Sequence, residues 1–293
     1  MFLIRPLRRY RCQTQRYLAW ILANRWLRYF MHLGYGAKGV LYGLIGIFAF
    51  NNAIQDSSLE SAHGSAEVLI SLANYPVGNV ILGLLGAGLL GYVLWRSVQA
   101  GLDPAHPKKA GIFRTVQRCG YATSGLTYLG IAYTAGKLAF GLTVEREDTI
   151  EAVAAFLFER AIGAWLFLAV GLFVIGVGLS YVYGAYSGSY ISEFRSSLPK
   201  FAQYSAKFIG KVGIAARGLG FILIGLYLTK SAYLAEDDAA GGLGEVLSQL
   251  DKQPGGDAWL IAIAFGFIAY AVYMAIAAFY RQFPKADTSY FQC

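Results

Sequence analysis

Charge is what this chain has least of. Only 14% of its 293 residues are charged, against roughly 25% in soluble domains. Histidine and cysteine are scarce too, at three each. Cys12, Cys119 and Cys293 are odd in number and lack metal-ligand spacing, which excludes a disulfide framework. His32, His63 and His106 form no pair with haem or metal spacing, and no Cys-x-x-Cys occurs. No G-x-x-x-x-G-K-[ST] loop is present. Gly86-x-Gly88-x-x-Gly91 matches a dinucleotide fingerprint formally, but it lies inside an apolar run rather than after a strand. No serine has a histidine or acid at triad-like spacing. The expectation is a protein that is not an enzyme, with no catalytic, cofactor-binding or metal residues and no cofactor. The Arg-rich start, "MFLIRPLRRYRCQTQR", leads into no short apolar core with a small-residue cleavage site, so it does not read as a cleaved signal peptide.

What is present is apolar length. Hydrophobic residues make up 56% of the chain. Residues 77–95, 161–183 and 259–279 contain no charge over about the ~20 residues that cross a bilayer. Three less pure runs, 37–54, 122–142 and 214–234, bring the expected spans to six. Glycine is abundant, at 35 residues. That cost in a soluble helix becomes an advantage in a membrane bundle, where small residues let helices approach. The expected fold is all-α and polytopic.

Loop charge orients the spans. The segments before span one, between spans two and three, between four and five, and after six hold 20 of the 25 Lys+Arg and three of the 17 acids. Their net charge is +17, against −9 for the other side. Positive short loops stay cytoplasmic, so both termini are expected inside, in a plasma membrane. The excess of basic residues flanks apolar spans instead of forming one patch, so nucleic acid is not an expected partner. In the N-terminal arm, residues 1–30, the stretch "RYLAWILANRWLRYF" interleaves Trp20, Trp26 and Tyr29 with arginines. That pattern suits an interfacial helix against anionic lipid headgroups, or a membrane-protein partner.

The chain repeats itself. Odd spans open with Gly34-Tyr35-x-x-Lys38-Gly39-x-x-Tyr42, Gly120-Tyr121-x-x-Ser124-Gly125-x-x-Tyr128 and Gly213-x-x-x-Arg217-Gly218-x-x-Phe221. Gly46, Ala132 and Gly225 each follow four residues later. Positions i, i+3, i+4 and i+7 share a helix face, so Gly39, Gly125 and Gly218, with the rings of Tyr42, Tyr128 and Phe221, read as a packing face. Even spans carry Tyr92, Tyr181 and Tyr270, spaced 89 apart. Rings near a span's end are expected at headgroup level. Each repeat is a two-span hairpin, and the three are parallel: residues 31–100, 116–187 and 207–281, with a cytoplasmic tail at 282–293. Three parallel repeats imply a pseudo-threefold arrangement.

This pattern resembles the bacterial integral-membrane family catalogued as domain of unknown function 1206, over roughly residues 31–281. Repeat two departs from it, with Ser124 where the basic residue belongs. The resemblance implies a bacterial membrane location and supplies no activity.

Two residue sets stand out. Lys38 and Arg217 interrupt apolar runs near their cytoplasmic ends, where long basic side chains are expected to snorkel to headgroups. Alternatively, with Ser124, they form a polar inner ring. The outer loops "SAEVLISLANYPVG", "IEAVAAFLFERAIG" and "LGEVLSQLDKQPGG" read as short amphipathic helices whose Glu67, Glu151 and Glu245 either favour a helix N-terminus or form an acidic outer ring. The two function classes are a non-enzymatic membrane scaffold or stability factor and a small-solute or ion channel along the repeat axis.

Overall fold

In hydrocarbon, an apolar run must satisfy its backbone internally, and a helix does so within one segment. The structure, a computed structural model, describes residues 20, 23–55, 64–102, 112–144, 163–194, 200–234, 243, 246–247, 249 and 255–283. Among them are seven α-helices: α1 Arg25–Gln55, α2 Ser65–Ala73, α3 Gly78–Leu102, α4 Ile112–Ala139, α5 Gly163–Ser187, α6 Lys200–Leu234 and α7 Gly256–Tyr280. A 3-10 turn, Ser189–Glu193, follows α5. The fold is all-α, as expected.

Five helices, α1, α3, α5, α6 and α7, are long and apolar enough to cross a membrane. The sixth expected span falls in α4. Its 28 residues suffice in length, but Gln117, Arg118, Thr123, Ser124 and Thr127 dilute its apolar character, and it is not among the five. The helices that open the hairpins also start earlier than their apolar runs, α1 at residue 25, α4 at 112 and α6 at 200. Their first turns mix rings with lysine or arginine, as in "KFAQYSAKFIGK", and remain helical while lowering hydropathy. Asn24 Oδ1 accepts from the backbone N–H of Trp26 at 2.9 Å and Leu27 at 3.4 Å, an N-cap that starts α1. The interfacial helix expected over residues 16–30 therefore runs, from Arg25, straight into the first long helix. The rest of the basic arm, except Trp20, Ala23 and Asn24, and the tail beyond Phe283 lie outside the described residues.

Helix α2 is amphipathic as expected, with Val68, Leu69 and Leu72 buried and Glu67 in its first turn. Tyr75-Pro76-Val77 makes the corner into α3. Gly188, at φ +70°, ends α5 in a left-handed conformation that favours glycine. In the turn beyond it, Tyr190 donates to Lys207 O at 2.6 Å, and burial pushes its phenol up.

The helices pack in cyclic order. Each return helix lies against the opening helix of the next hairpin: α3 on α4, α5 on α6, and α7 back on α1. Within hairpins α1 packs on α3 and α6 on α7, whereas α4 and α5 form no packed interface among the described residues. Small residues set these approaches. A Cβ at Gly39 would stand 3.1 Å from Ala271 O, one at Gly218 2.8 Å from Gly178 O, and one at Gly125 3.4 Å from Arg96 Cβ. Within the first and third hairpins, a Cβ at Gly34 would strike Tyr92 N and one at Gly213 would strike Tyr270 N. Gly120 holds the same motif position in the second hairpin and has nothing within 4 Å among the described residues. Among the described residues, the ring of helices is closed except at one seam, between α4 and α5.

Candidate functional site

A chamber of about 1810 Å³ lies inside the ring, lined from α1, α3, α4, α5, α6 and α7. Lys38, Ser124 and Arg217 all line it. The structure corrects the snorkelling expectation: Lys38 is 1% exposed and Arg217 4%, and both project into the bundle. Arg217 bonds to tyrosines of α4 and α7, so its guanidinium is held inside the bundle.

Both cations are held by tyrosines. Lys38 Nζ donates to Tyr92 Oη at 2.8 Å and lies 4.2 Å from that ring's centroid and 4.8 Å from that of Tyr128. Arg217 Nη1 donates to Tyr128 Oη at 3.0 Å and Tyr270 Oη at 3.1 Å. Its guanidinium carbon lies 4.9 Å from the Tyr42 ring, 5.1 Å from Phe221 and 5.3 Å from Tyr181. Tyr128 in turn donates to Tyr42 Oη at 3.2 Å. A third cation, Arg96, completes the cluster. Its Nε donates to Tyr92 Oη at 2.7 Å and its Nη1 to Gln99 Oε1 at 2.8 Å.

The rings interlock as the helices do. Tyr92 meets Tyr128 at 4.8 Å between centroids, Tyr181 meets Phe221 at 5.5 Å, and Tyr270 meets Tyr42 at 4.9 Å. Each return-helix tyrosine thus touches the opening ring of the next hairpin. The packing-face rings Tyr42, Tyr128 and Phe221 therefore contact the cations as well as their neighbours. The expectation that the even-span tyrosines sit at headgroup level is corrected: Tyr92 and Tyr270 are 0% and 2% exposed. Their hydroxyls turn inward to accept from Lys38, Arg96 and Arg217. Arg96 escaped sequence reading because a basic residue just beyond an apolar run looks like a topology signal. Its position four residues after Tyr92, one helical turn, was the available clue.

The electrostatic balance is unusual. Burying an ion costs several kcal/mol even after relaxation, and each desolvated cation–π contact returns about 2 kcal/mol. Among the described residues no carboxylate pairs with Lys38, Arg96 or Arg217, and the charges acting on Lys38 are those of Arg217, Arg96 and Arg281. Arg217 Nε is buried without a hydrogen-bond partner among the described residues. The chamber is therefore a positive, donor-rich space.

Glu67 is half-buried in α2 and does not line the chamber. Glu151 and Glu245, the other members of the expected outer ring, lie outside the described residues. At the opposite end, Phe283 packs edge-on to Trp95 at 4.7 Å and His32 at 4.6 Å, and Arg281 lies 4.6 Å over Tyr35. Among the described residues no group of three or more His, Cys, Asp or Glu could hold a metal.

Five long apolar helices around a buried aromatic-cationic chamber define a protein of the multi-pass membrane type. The chain belongs to the family described as Domain of Unknown Function (DUF1206), whose model matches it three times in tandem, at residues 33–103, 119–188 and 212–281. It is 30% identical over 260 residues to the uncharacterized protein YxxB of Bacillus subtilis (strain 168), covering 87% of this chain and 92% of that protein. No solved structure matches it.

Proposed function

We propose that this is a six-span protein of a bacterial plasma membrane, both termini cytoplasmic, whose three hairpins surround a pseudo-threefold axis and whose central chamber binds an anion. The single observation that carries the function is the burial of Lys38 and Arg217 in one cavity with no carboxylate against either among the described residues. A scaffold acting only by helix packing would gain nothing from that arrangement. Replacing buried ions by apolar side chains of similar volume is commonly neutral or stabilising. Two costly charges kept together have a use where an anion offsets the desolvation. The same chamber serves the channel or permease reading, with the cations as its selective constriction. The pseudo-threefold reading draws support from the cyclic helix order and the three interlocked ring pairs. Counting α4 as a span draws support from its length and from its packing on α3.

The test uses the purified full chain in liposomes and in detergent. Inorganic phosphate binding is measured by calorimetry and anion flux by a trapped indicator, beside a Lys38→Gln/Arg217→Gln variant. Binding that falls at least tenfold in the variant supports the proposal. Absence of phosphate, sulfate and chloride binding to the parent would sink it. A periplasmic reporter active on the C-terminus would overturn the topology.

A further inference from the structure

The chamber is graded along its length. At the end where α1, α4 and α6 begin, its charged and polar lining is concentrated: Arg96, Gln99, Gln117 and Ser180 beside rings such as Trp95 and Phe283, with Lys38 and Arg217 above them. Toward the other end it is apolar, lined by Ile45, Ile131, Phe173, Val174, Ile224 and Phe267. Its volume, about 1810 Å³, exceeds the roughly 300–1,000 Å³ of ordinary small-ligand pockets. An inorganic anion would use the polar end and leave an apolar space empty.

Among the described residues, the seam between α4 and α5 leaves this space open to the side. Residues of both helices line the chamber and are exposed: Thr123 and Thr127 on α4, and Phe173 and Ser180 on α5. The seam falls in the hairpin that carries Ser124 in place of a cation. Thus the hairpin whose motif lacks a cation is the one that, among the described residues, is left open.

We infer that the chamber takes an anionic lipid from the bilayer, entering sideways between α4 and α5, its phosphate on Lys38, Arg96 and Arg217 and one acyl chain along the apolar end. This rests on the anion-binding function proposed above and names the class of anion. The lipid matches each part of the lining. Its phosphate oxygens accept from Arg217 Nε, the buried donor without a partner, and its chain replaces water against Ile131, Val174 and Ile224. Charge complementarity selects an anionic head over a zwitterionic one, whose ammonium would meet three cations.

The experiment is photo-crosslinking in liposomes with phosphatidylglycerol bearing a diazirine in one acyl chain, and the phosphatidylcholine counterpart. Labelled positions are mapped by peptide sequencing. Outward residues such as Leu172 and Trp165, which do not line the chamber, report ordinary lipid contact and should label equally with both probes. Ile131, Val174, Val177 and Ile224 should label at least tenfold more with phosphatidylglycerol. That excess should fall at least tenfold in Lys38→Gln/Arg217→Gln. It should also fall at least tenfold in Thr127→Trp, which obstructs the seam without touching the cations. Unchanged outward labelling shows that each variant is folded and inserted.

Equal chamber labelling by both lipids, or labelling indifferent to Thr127→Trp, would overturn the inference. If phosphate binds in the calorimeter but no lipid excess appears, the lipid inference falls and the anion proposal stands. If neither is bound, both fall.

Discussion

The first and third hairpins differ from the second in three ways that coincide. In the outer two, a basic residue on the opening helix donates to a tyrosine on the return helix, Lys38 to Tyr92 and Arg217 to Tyr270. In both, a glycine one turn earlier lets the two backbones touch. The second hairpin has Ser124 for the cation, leaves Gly120 without a neighbour among the described residues, and holds its helices apart. The comparison teaches that the cation–tyrosine link and the close glycine approach occur together, and that losing the link goes with opening the hairpin. A buried cation needs its oxygen acceptor near, and that need draws the return helix in. Serine makes no such demand.

The largest expected difference lies at the glycines. Gly34→Leu or Gly213→Leu forces a side chain into the neighbouring backbone and should cost at least about 3 kcal/mol. Gly120→Leu should change stability by no more than about 1 kcal/mol, since a side chain there meets nothing within 4 Å among the described residues and leucine suits a helix better than glycine. Thermal unfolding in one detergent, read by circular dichroism, compares all three. Equal losses would break the comparison. Next is Ser124→Lys, which supplies the missing cation. It should destabilise the protein by about 2–4 kcal/mol, because a third uncompensated charge enters the chamber, and should tighten phosphate binding. Calorimetry and unfolding on the same sample check both.

Apolar replacement gives a smaller effect of the opposite sign. Arg217→Met should leave stability unchanged or raise it by up to about 2 kcal/mol, while anion binding drops at least tenfold. Clear destabilisation would show that the cation serves folding rather than a ligand. The smallest effect belongs to the hydroxyls. Tyr128→Phe deprives Arg217 of one acceptor and Tyr42 of a donor, and should cost about 1–2 kcal/mol in the same unfolding assay. Tyr270→Phe, which leaves Tyr128 in place as acceptor, should cost less.

Much of this architecture could be read from residue order. Charge-free runs announced three long helices, and the spaced Gly-x-x-x-[Lys/Arg]-Gly motif announced the repeats and singled out Lys38 and Arg217. Burial was not legible, because a lysine in an apolar run looks the same whether it reaches outward or inward. Tyr92 and Tyr270 were misplaced for a related reason: a ring near the end of an apolar run is consistent with a headgroup belt, and only the packing of α3 and α7 turns it inward. Arg96 was hidden among topology charges. The seam was beyond reach, since it is a missing contact between two helices whose sequences both support packing. α4 shows the limit of hydropathy itself, as a helix facing a polar chamber is free to carry threonine, serine and glutamine.

The cyclic packing also imposes an order on biogenesis. Helices emerge one at a time, yet α7 supplies the tyrosine that Arg217 bonds and the backbone against which Gly39 of α1 rests. Until the last helix arrives, α1 has one face bare and Arg217 lacks an acceptor within its own hairpin. The half-made protein therefore holds Arg217 on the Tyr128 hydroxyl alone, and the arrival of α7 both supplies its second acceptor and covers the bare face of α1.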